Sequence, residues 1–363
     1  MADIWMGKIK GHISEARNRA KADKLEREAA EKHPQSIILT KREVQGEWDA
    51  SRVLLTTLGG GAARPITTND LAQFRHNMRM AQKNFNGDGI TARQVIDLAS
   101  SRPMPGTGTD TDINRAKKQI SMAVPVSAFN NEIRFITNAG PESDVTRHHV
   151  LVRFNAFAEA ANKLMASTTK ERKDSKQAAN WLRKQKLAFD CDCGRHRYWF
   201  RYISTIGNFN AGRKELGFPK IRNPNLQGVA CKHVLRVMSE VESSISVLNF
   251  LTKHMIKLRD SQDNTARHQA KQSDFDDDVK KKSTRKQPKP IKTSVQRERE
   301  RQRAKEREQL HKKAKQVTRI TRKPAATRRI EAAMESGKLS ASDLDVLRRM
   351  GFTDNEIAAK LKG

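Results

Sequence analysis

Residues 189–203, FDCDCGRHRYWFRYI, and residues 228–238, GVACKHVLRVM, hold all three cysteines of this 363-residue chain. Cys191 and Cys193 form a C-x-C pair; after 37 intervening residues, Cys231 and His233 form C-x-H. Four soft ligands in two close pairs are what a tetrahedral zinc ion requires. On a strand, residues two apart point to the same side, so both sulfurs of C-x-C reach one ion. The same parallel direction makes a disulfide between them sterically poor. His196 competes with His233 for the fourth position, although it follows Gly194-Arg195 and reads as part of a strand. A catalytic zinc keeps one position open for water, whereas four protein ligands close the site, so the expected cofactor is structural Zn2+.

The flanking residues suggest how the ligands are held. Gly194 allows a tight turn, and the aromatic-rich run 195–203 reads as a second strand. From Cys231 a helix begins, with Val234, Val237 and Met238 as its buried stripe. The expectation is a ββα unit over 189–242, too small to hold its shape by apolar burial. Metal ligation would supply roughly 10 kcal/mol of its folding free energy.

The C-x-C…C-x-H pattern followed by a helix resembles the SWIM zinc domain of some chromatin-remodelling helicases, plant Mu-type transposases and bacterial proteins. The likeness covers residues 189–242, with an inserted loop over 206–227. It implies a module that binds DNA or protein and carries no catalysis. Residues 189–202 and 218–238 are also similar to segments of tailed-bacteriophage virion or head proteins. That likeness implies a virion setting, with packaged DNA and other virion proteins as partners.

Composition points the same way. The chain carries 71 Lys and Arg against 41 Asp and Glu, a formal charge of +30. Such an excess implies a polyanionic partner, DNA before RNA. No apolar run approaches the length of a membrane span. The N-terminus lacks the apolar core of a signal peptide, so an intracellular or virion location is expected, not a secreted one. Cations hold phosphates and aromatic faces stack on bases. Arg195, Arg197, Trp199, Arg201, Arg213, Lys220, Arg222, Lys232 and Arg236 are therefore the candidate nucleic-acid contacts. Residues 281–330 add 20 Lys/Arg against 4 Glu, and neutralising phosphates with them would give salt-sensitive affinity.

Elsewhere the pattern predicts an α+β protein. A charged helix over 8–33 places Ile9, Ile13, Ala16, Ala20 and Leu25 near one face. The glycine-rich 58–65 reads as a flexible loop, since it lacks a P-loop pattern. A helix follows over 70–83, capped from Thr68-Asn69-Asp70, and another starts at Thr91. Asn84–Gly89 has one carboxylate and is no calcium loop. Residues 103–108 read as an exposed loop. Short strands are expected at 120–126, 133–136 and 149–154, the first two joined at Asn130-Asn131. One of His148 and His149 should face solvent. A helix over 156–187 leads to the metal segment, and another runs over 243–259. Residues 281–291 should be disordered and 295–316 helical. Three short helices close the chain, the last opened by a capping box at Thr353–Glu356.

The expected organisation is an N-terminal helix and loop (1–66), an α+β body (67–260), a basic arm (261–325) and a small helical module (326–363). The leading function is a non-enzymatic, zinc-stabilised nucleic-acid-binding structural protein. The alternatives are a protein-interaction adaptor and an accessory subunit of a transposase or nuclease. The acidic patch Asp274–Asp278 is too isolated to form a catalytic metal cluster.

Overall fold

Apolar residues alternating along 123–154 build a three-stranded antiparallel meander, and the rest of the body assembles on it. In chain order the strands are β1 Leu55–Thr56, β2 Arg64–Pro65, β3 Ile90–Thr91, β4 Ala123–Phe129, β5 Glu132–Asn138, β6 Arg147–Phe154, β7 Lys186–Cys191 and β8 Arg267–Gln269. The computed structural model describes residues 8–32, 36–49, 51–85, 89–99, 103, 108–167, 171–263, 265–284, 290–321 and 323–361. β1 and β2 pair with each other, and the other six form one sheet in the order β3-β7-β6-β5-β4-β8. Every neighbouring pair in that sheet is antiparallel. The β4–β5 turn places Asn130 at φ +47°, a conformation asparagine tolerates. Its side-chain oxygen accepts the Ala266 N–H at 3.0 Å, which brings β8 alongside β4.

One sheet face buries Phe135, Val150, Val152 and Phe189 against Val234, Leu235, Val237 and Met238 of the helix Lys232–Ser243, and against Leu251 and Met255 of the helix Ile245–Arg259. The stripe expected on the ligand helix is therefore the buried one. On the other face, Val124, Val126 and Ile136 meet Ile9 of the helix Ile9–Lys32 and Phe275 and Val279 of the helix Gln272–Ser283. Both helices thus belong to the unit that holds the sheet. The chain divides into two compact units between Ser294 and Val295.

Several local expectations change. The N-terminal helix buries Ile9, His12 and Ala16, but further on it buries Asp23 and Arg27, while Leu25 is 68% exposed. Its apolar stripe gives way to a charged one that is paired inside the body. Residues 58–65 form the turn and second strand of the β1–β2 hairpin, with Gly59, Gly60 and Gly61 at φ +91°, +86° and +86°. Thr67, not Thr68, caps the helix Thr68–Asn84, and Asp70 completes its capping box. Thr91 caps the helix Ala92–Asp97. The single helix expected over 156–187 is two, Phe157–Met165 and Arg172–Leu182, followed by β7. Leu187, Phe189 and Cys191 alternate with period two and pair with β6, which removes that segment from the helix.

The largest correction concerns 195–203, which is helical and not a strand. Gly194 and Arg195 open it, a π-helical turn covers His196–Phe200, and an α-helix continues over Arg201–Ile206. Cys193 sets its start: its sulfur accepts the His196 N–H at 3.3 Å and its carbonyl the Arg197 N–H at 3.1 Å. The buried residues His196, Phe200 and Ile203 recur at helical spacing. The metal segment is thus a strand, a helix, a loop and a second helix.

The ends of the stretch expected to be disordered are ordered. Lys282 is buried and reaches Glu240 at 3.0 Å, and Ile291 is buried. Residues 285–289, like 86–88 and 104–107 in the two other expected loops, lie outside the described residues. Asp274 lies on the helix Gln272–Ser283 and pairs with Lys253 at 2.6 Å. Among the described residues, no helix is long and apolar enough to cross a membrane.

The second unit, considered by itself, begins within the helix Ser294–Thr321. Three short helices follow, Ala325–Glu335, Ala341–Arg349 and Asp354–Lys360. Ile330, Leu339, Leu344 and Ile357 form their small core. Capping boxes at Ser340–Asp343 and Thr353–Glu356 start the last two.

Candidate metal centre

Cys191 ends β7, Cys193 precedes the first turn of the helix after it, and Cys231 is the N-cap of Lys232–Ser243. Two distant segments thereby bring their ligands to one place. The sulfurs of Cys191, Cys193 and Cys231 and a ring nitrogen of His233 all lie within 4.8 Å of one another, and all four residues are buried. His233 Nδ1 is 4.0 Å from Cys191 Sγ and 3.9 Å from Cys231 Sγ. Ligands about 2.3 Å from a central ion in a tetrahedron stand about 3.8 Å apart, so the spacing fits a four-coordinate metal. These four residues could hold one ion. The three cysteines form no disulfide.

The electrostatics suit the same role. Burial pushes the Cys191 and Cys231 thiols up; both neighbouring thiols add to it at Cys191, whereas at Cys231 Cys193 adds to it and Cys191 opposes it. Burial acts on Cys193 as well, but hydrogen bonds from Cys191 and Cys231 bring it down. Burial lowers His233, favouring the neutral imidazole that metal ligation needs. Three thiolates around a divalent ion would leave a net charge of −1. Two helix N-termini, beginning at Cys193 and at Cys231, point their N–H groups at it, which stabilises an anion there.

Outside the tetrad, the His148 ring packs on the His233 ring with centroids 4.3 Å apart. His148 Nδ1 meets Asp192 Oδ1 at 2.8 Å, and Arg19 donates to the other carboxylate oxygen at 2.9 Å. Ser143 Oγ lies 3.3 Å from His148 Nε2. A Ser–His–Asp order serves nucleophilic catalysis in hydrolases. Here the His148 ring is pinned against a ligand, and the Asp192 carboxylate is shared with Arg19 and the His149 N–H. The array reads as an outer sphere that fixes His233. Neither adjacent histidine faces solvent: His148 is 8% and His149 4% exposed. His196, the competing ligand, is buried 3.1 Å from Asp190 and stands outside the tetrad.

The nine expected phosphate contacts fall into three groups. Arg201, Lys220 and Arg236 are at most 2% exposed, which removes them from any external ligand. Arg236 donates to the carbonyls of Ile120 and Ala116 at 2.7 and 3.1 Å. Burial lowers its pKa to about 10. Arg201, Arg197 and Arg213 converge on Asp23, at 2.7, 2.5 and 3.1 Å. Arg201 also reaches Asp190 at 3.0 Å, and Glu26 takes Arg197 as well. Gly212 leaves room for this network, because a Cβ there would stand 2.3 Å from Asp190 Oδ2. In the last group Arg222 is exposed, and Arg195, Trp199 and Lys232 are half-buried. The guanidinium groups of Arg195 and Arg222 lie 4.6 and 5.1 Å from the centre of the Trp199 ring. Arg195 also meets Asp112 at 3.3 Å, and Lys232 donates to Gln119 at 2.6 Å. Nothing in the local sequence marks Asp23, Glu26 or Glu215 as partners of these cations.

The buried Arg27–Glu215 pair, 2.7 Å apart, makes part of the stability pH-dependent. Burial alone would raise the Glu215 carboxyl, but Arg27 holds it below its ordinary value. A depressed carboxylate stabilises the fold above its unfolded pKa, and that contribution is lost as pH falls through the folded pKa. Unfolding free energy is expected to decline below about pH 5. Glu215→Gln should flatten this limb in urea titrations at neutral and acid pH.

No protein-family model, curated protein or solved structure matches this chain.

Proposed function

We propose that this chain is a non-catalytic nucleic-acid-binding protein whose body is stapled by Zn2+ at Cys191, Cys193, Cys231 and His233. Three thiolates and an imidazole in a buried set suit zinc, whereas harder cations take oxygen ligands. With all four positions filled by protein, the ion serves the fold and not a reaction.

The observation that carries the binding half is the helix Ser294–Thr321. Every side chain from 298 to 315 is exposed, and residues 297–315 hold nine Lys/Arg against four Glu. A helix of 28 residues extends about 42 Å. It presents no apolar face along this stretch, so packing does not explain its composition. Excess charge spread over that length fits a phosphate backbone, with counterion release as the driving force. DNA in a tailed-bacteriophage virion is the setting that the sequence likeness favours. Sedimentation of the chain with DNA-filled particles tests that setting.

Followed by fluorescence anisotropy with a labelled DNA oligonucleotide, the full chain is expected to lose affinity steeply with salt. The loss should reach about a thousandfold between roughly 50 and 200 mM, as for six or more neutralised phosphates. Replacing Arg301, Lys305 and Lys312 with glutamine should lower the log–log slope by about 0.9 for each phosphate no longer neutralised. Absent binding at low salt, or affinity unmoved by salt, leaves the adaptor reading in its place.

A further inference from the structure

Among the described residues, the face of the sheet that meets Ile9 is covered at one end and open at the other. At the open end, two cross-strand rungs lie side by side. Arg267, Phe129, Glu132 and Arg153 stand opposite one another across β8, β4, β5 and β6. In the next rung Arg134 sits on β5 between Ser127 and Leu151. These rungs and Arg17 of the N-terminal helix border a concavity of about 600 Å³.

Charge there is out of balance. Glu132 is already taken by Arg153, at 2.8 Å. Arg134, flanked by a hydroxyl and a leucine, makes no hydrogen bond or ion pair among the described residues. Burial lowers its pKa and Arg17 adds to the effect, while the carboxylates of Glu132, Asp192 and Asp190 act on it through space in the opposite sense without pairing with it. A guanidinium carries five donors and stays charged, so leaving it partly desolvated without an acceptor is costly. Arg17 and Arg267 add two further cations at the rim, and neither forms an ion pair among the described residues. His268, on the same rim, has its pKa lowered by burial to about 4, so it is neutral and adds no further positive charge. Beside these cations Phe129 is 49% exposed, with Arg267 5.3 Å from its ring centre.

We propose that this open sheet face binds a single-stranded nucleic-acid segment, with Arg134 taking a phosphodiester and Phe129 stacking on a base. The proposal rests on the nucleic-acid reading above and adds a base-contacting surface on the sheet to the phosphate-binding helix Ser294–Thr321. A planar fork matches phosphate oxygens, and an exposed ring accepts any base. A duplex keeps its bases stacked internally and offers this ring nothing, so single strands are preferred.

The test compares a labelled oligo-dT with a duplex of equal length, using the full chain at near-physiological salt. Phe129→Ala should weaken oligo-dT binding between about five- and a hundredfold and leave duplex binding unchanged. Arg134→Met should weaken oligo-dT binding about tenfold or more, with thermal midpoint and metal content retained, because a desolvated charge has been removed. Bromodeoxyuridine placed in the oligonucleotide should photo-crosslink to the peptide bearing Phe129. If the wild type binds oligo-dT while both variants stay within twofold of it, or crosslinks map elsewhere, the site is wrong and the nucleic-acid reading survives. If the wild type binds neither strand form, both fall together. Equal loss of duplex and oligo-dT binding in Phe129→Ala overturns the single-strand assignment.

Discussion

Cys231→Ser is expected to yield a chain without bound metal whose thermal midpoint lies about 20 °C or more below that of the wild type, or one that does not fold. Cys231 is fully buried and caps the helix whose Val234, Leu235, Val237 and Met238 face the sheet. The metal segment is therefore not a small detachable finger but part of the main core. Losing the ion should loosen β7, the helix after Cys193 and the ligand helix together. Structural zinc contributes about 10 kcal/mol or more to folding at neutral pH, comparable with the whole stability of a typical domain. In a unit of this size each kcal/mol moves the midpoint by about 2 °C, so the shift is large. Circular dichroism melts with metal content measured on the same sample check it. His196→Ala should keep its ion, because His196 faces Asp190 and stands outside the tetrad.

Asp23→Ala should cost about 3–5 kcal/mol without touching the metal ligands. Its carboxylate meets Arg197, Arg201 and Arg213, and Arg201 is 2% exposed. Removing one buried partner leaves an uncompensated charge, which costs far more than the net worth of the pair. The paired change Asp23→Ala with Arg201→Met should recover much of the loss. Urea unfolding of the two single variants and the double variant measures the coupling. A loss under about 1 kcal/mol for Asp23→Ala would show that Asp190 and Glu26 suffice as counter-charges.

The Cys/His cluster that could hold a metal was legible because metal chemistry writes spacing directly into sequence. C-x-C and C-x-H stand out whatever the tertiary context. The meander 123–154 was legible through alternation, and Thr91 and Thr353 through their caps. The segment 195–203 was misread because its aromatic residues favour strands, while the burial of His196, Phe200 and Ile203 follows helical spacing. Tertiary packing and the Cys193 cap decided between the two periods. The buried arginines were hidden for a different reason. Arginine normally lies at the surface, and the acids that draw these side chains inward are remote in sequence. Asp23 and Arg201 are 178 positions apart, and Arg27 and Glu215 are 188. No local pattern announces such pairs, so positive charge near Cys193 read as a phosphate-binding surface when much of it is internal structure. The open rungs around Arg134 were equally hidden, since their character depends on which strands neighbour one another.

X-ray absorption at the zinc edge, on chain purified under reducing conditions with its metal stoichiometry measured, addresses the central claim most directly. One zinc per chain is predicted, with three sulfur neighbours at about 2.3 Å and one imidazole nitrogen at about 2.0 Å. A chain that folds with no bound metal, or whose zinc is surrounded by oxygen and nitrogen alone, would contradict the account.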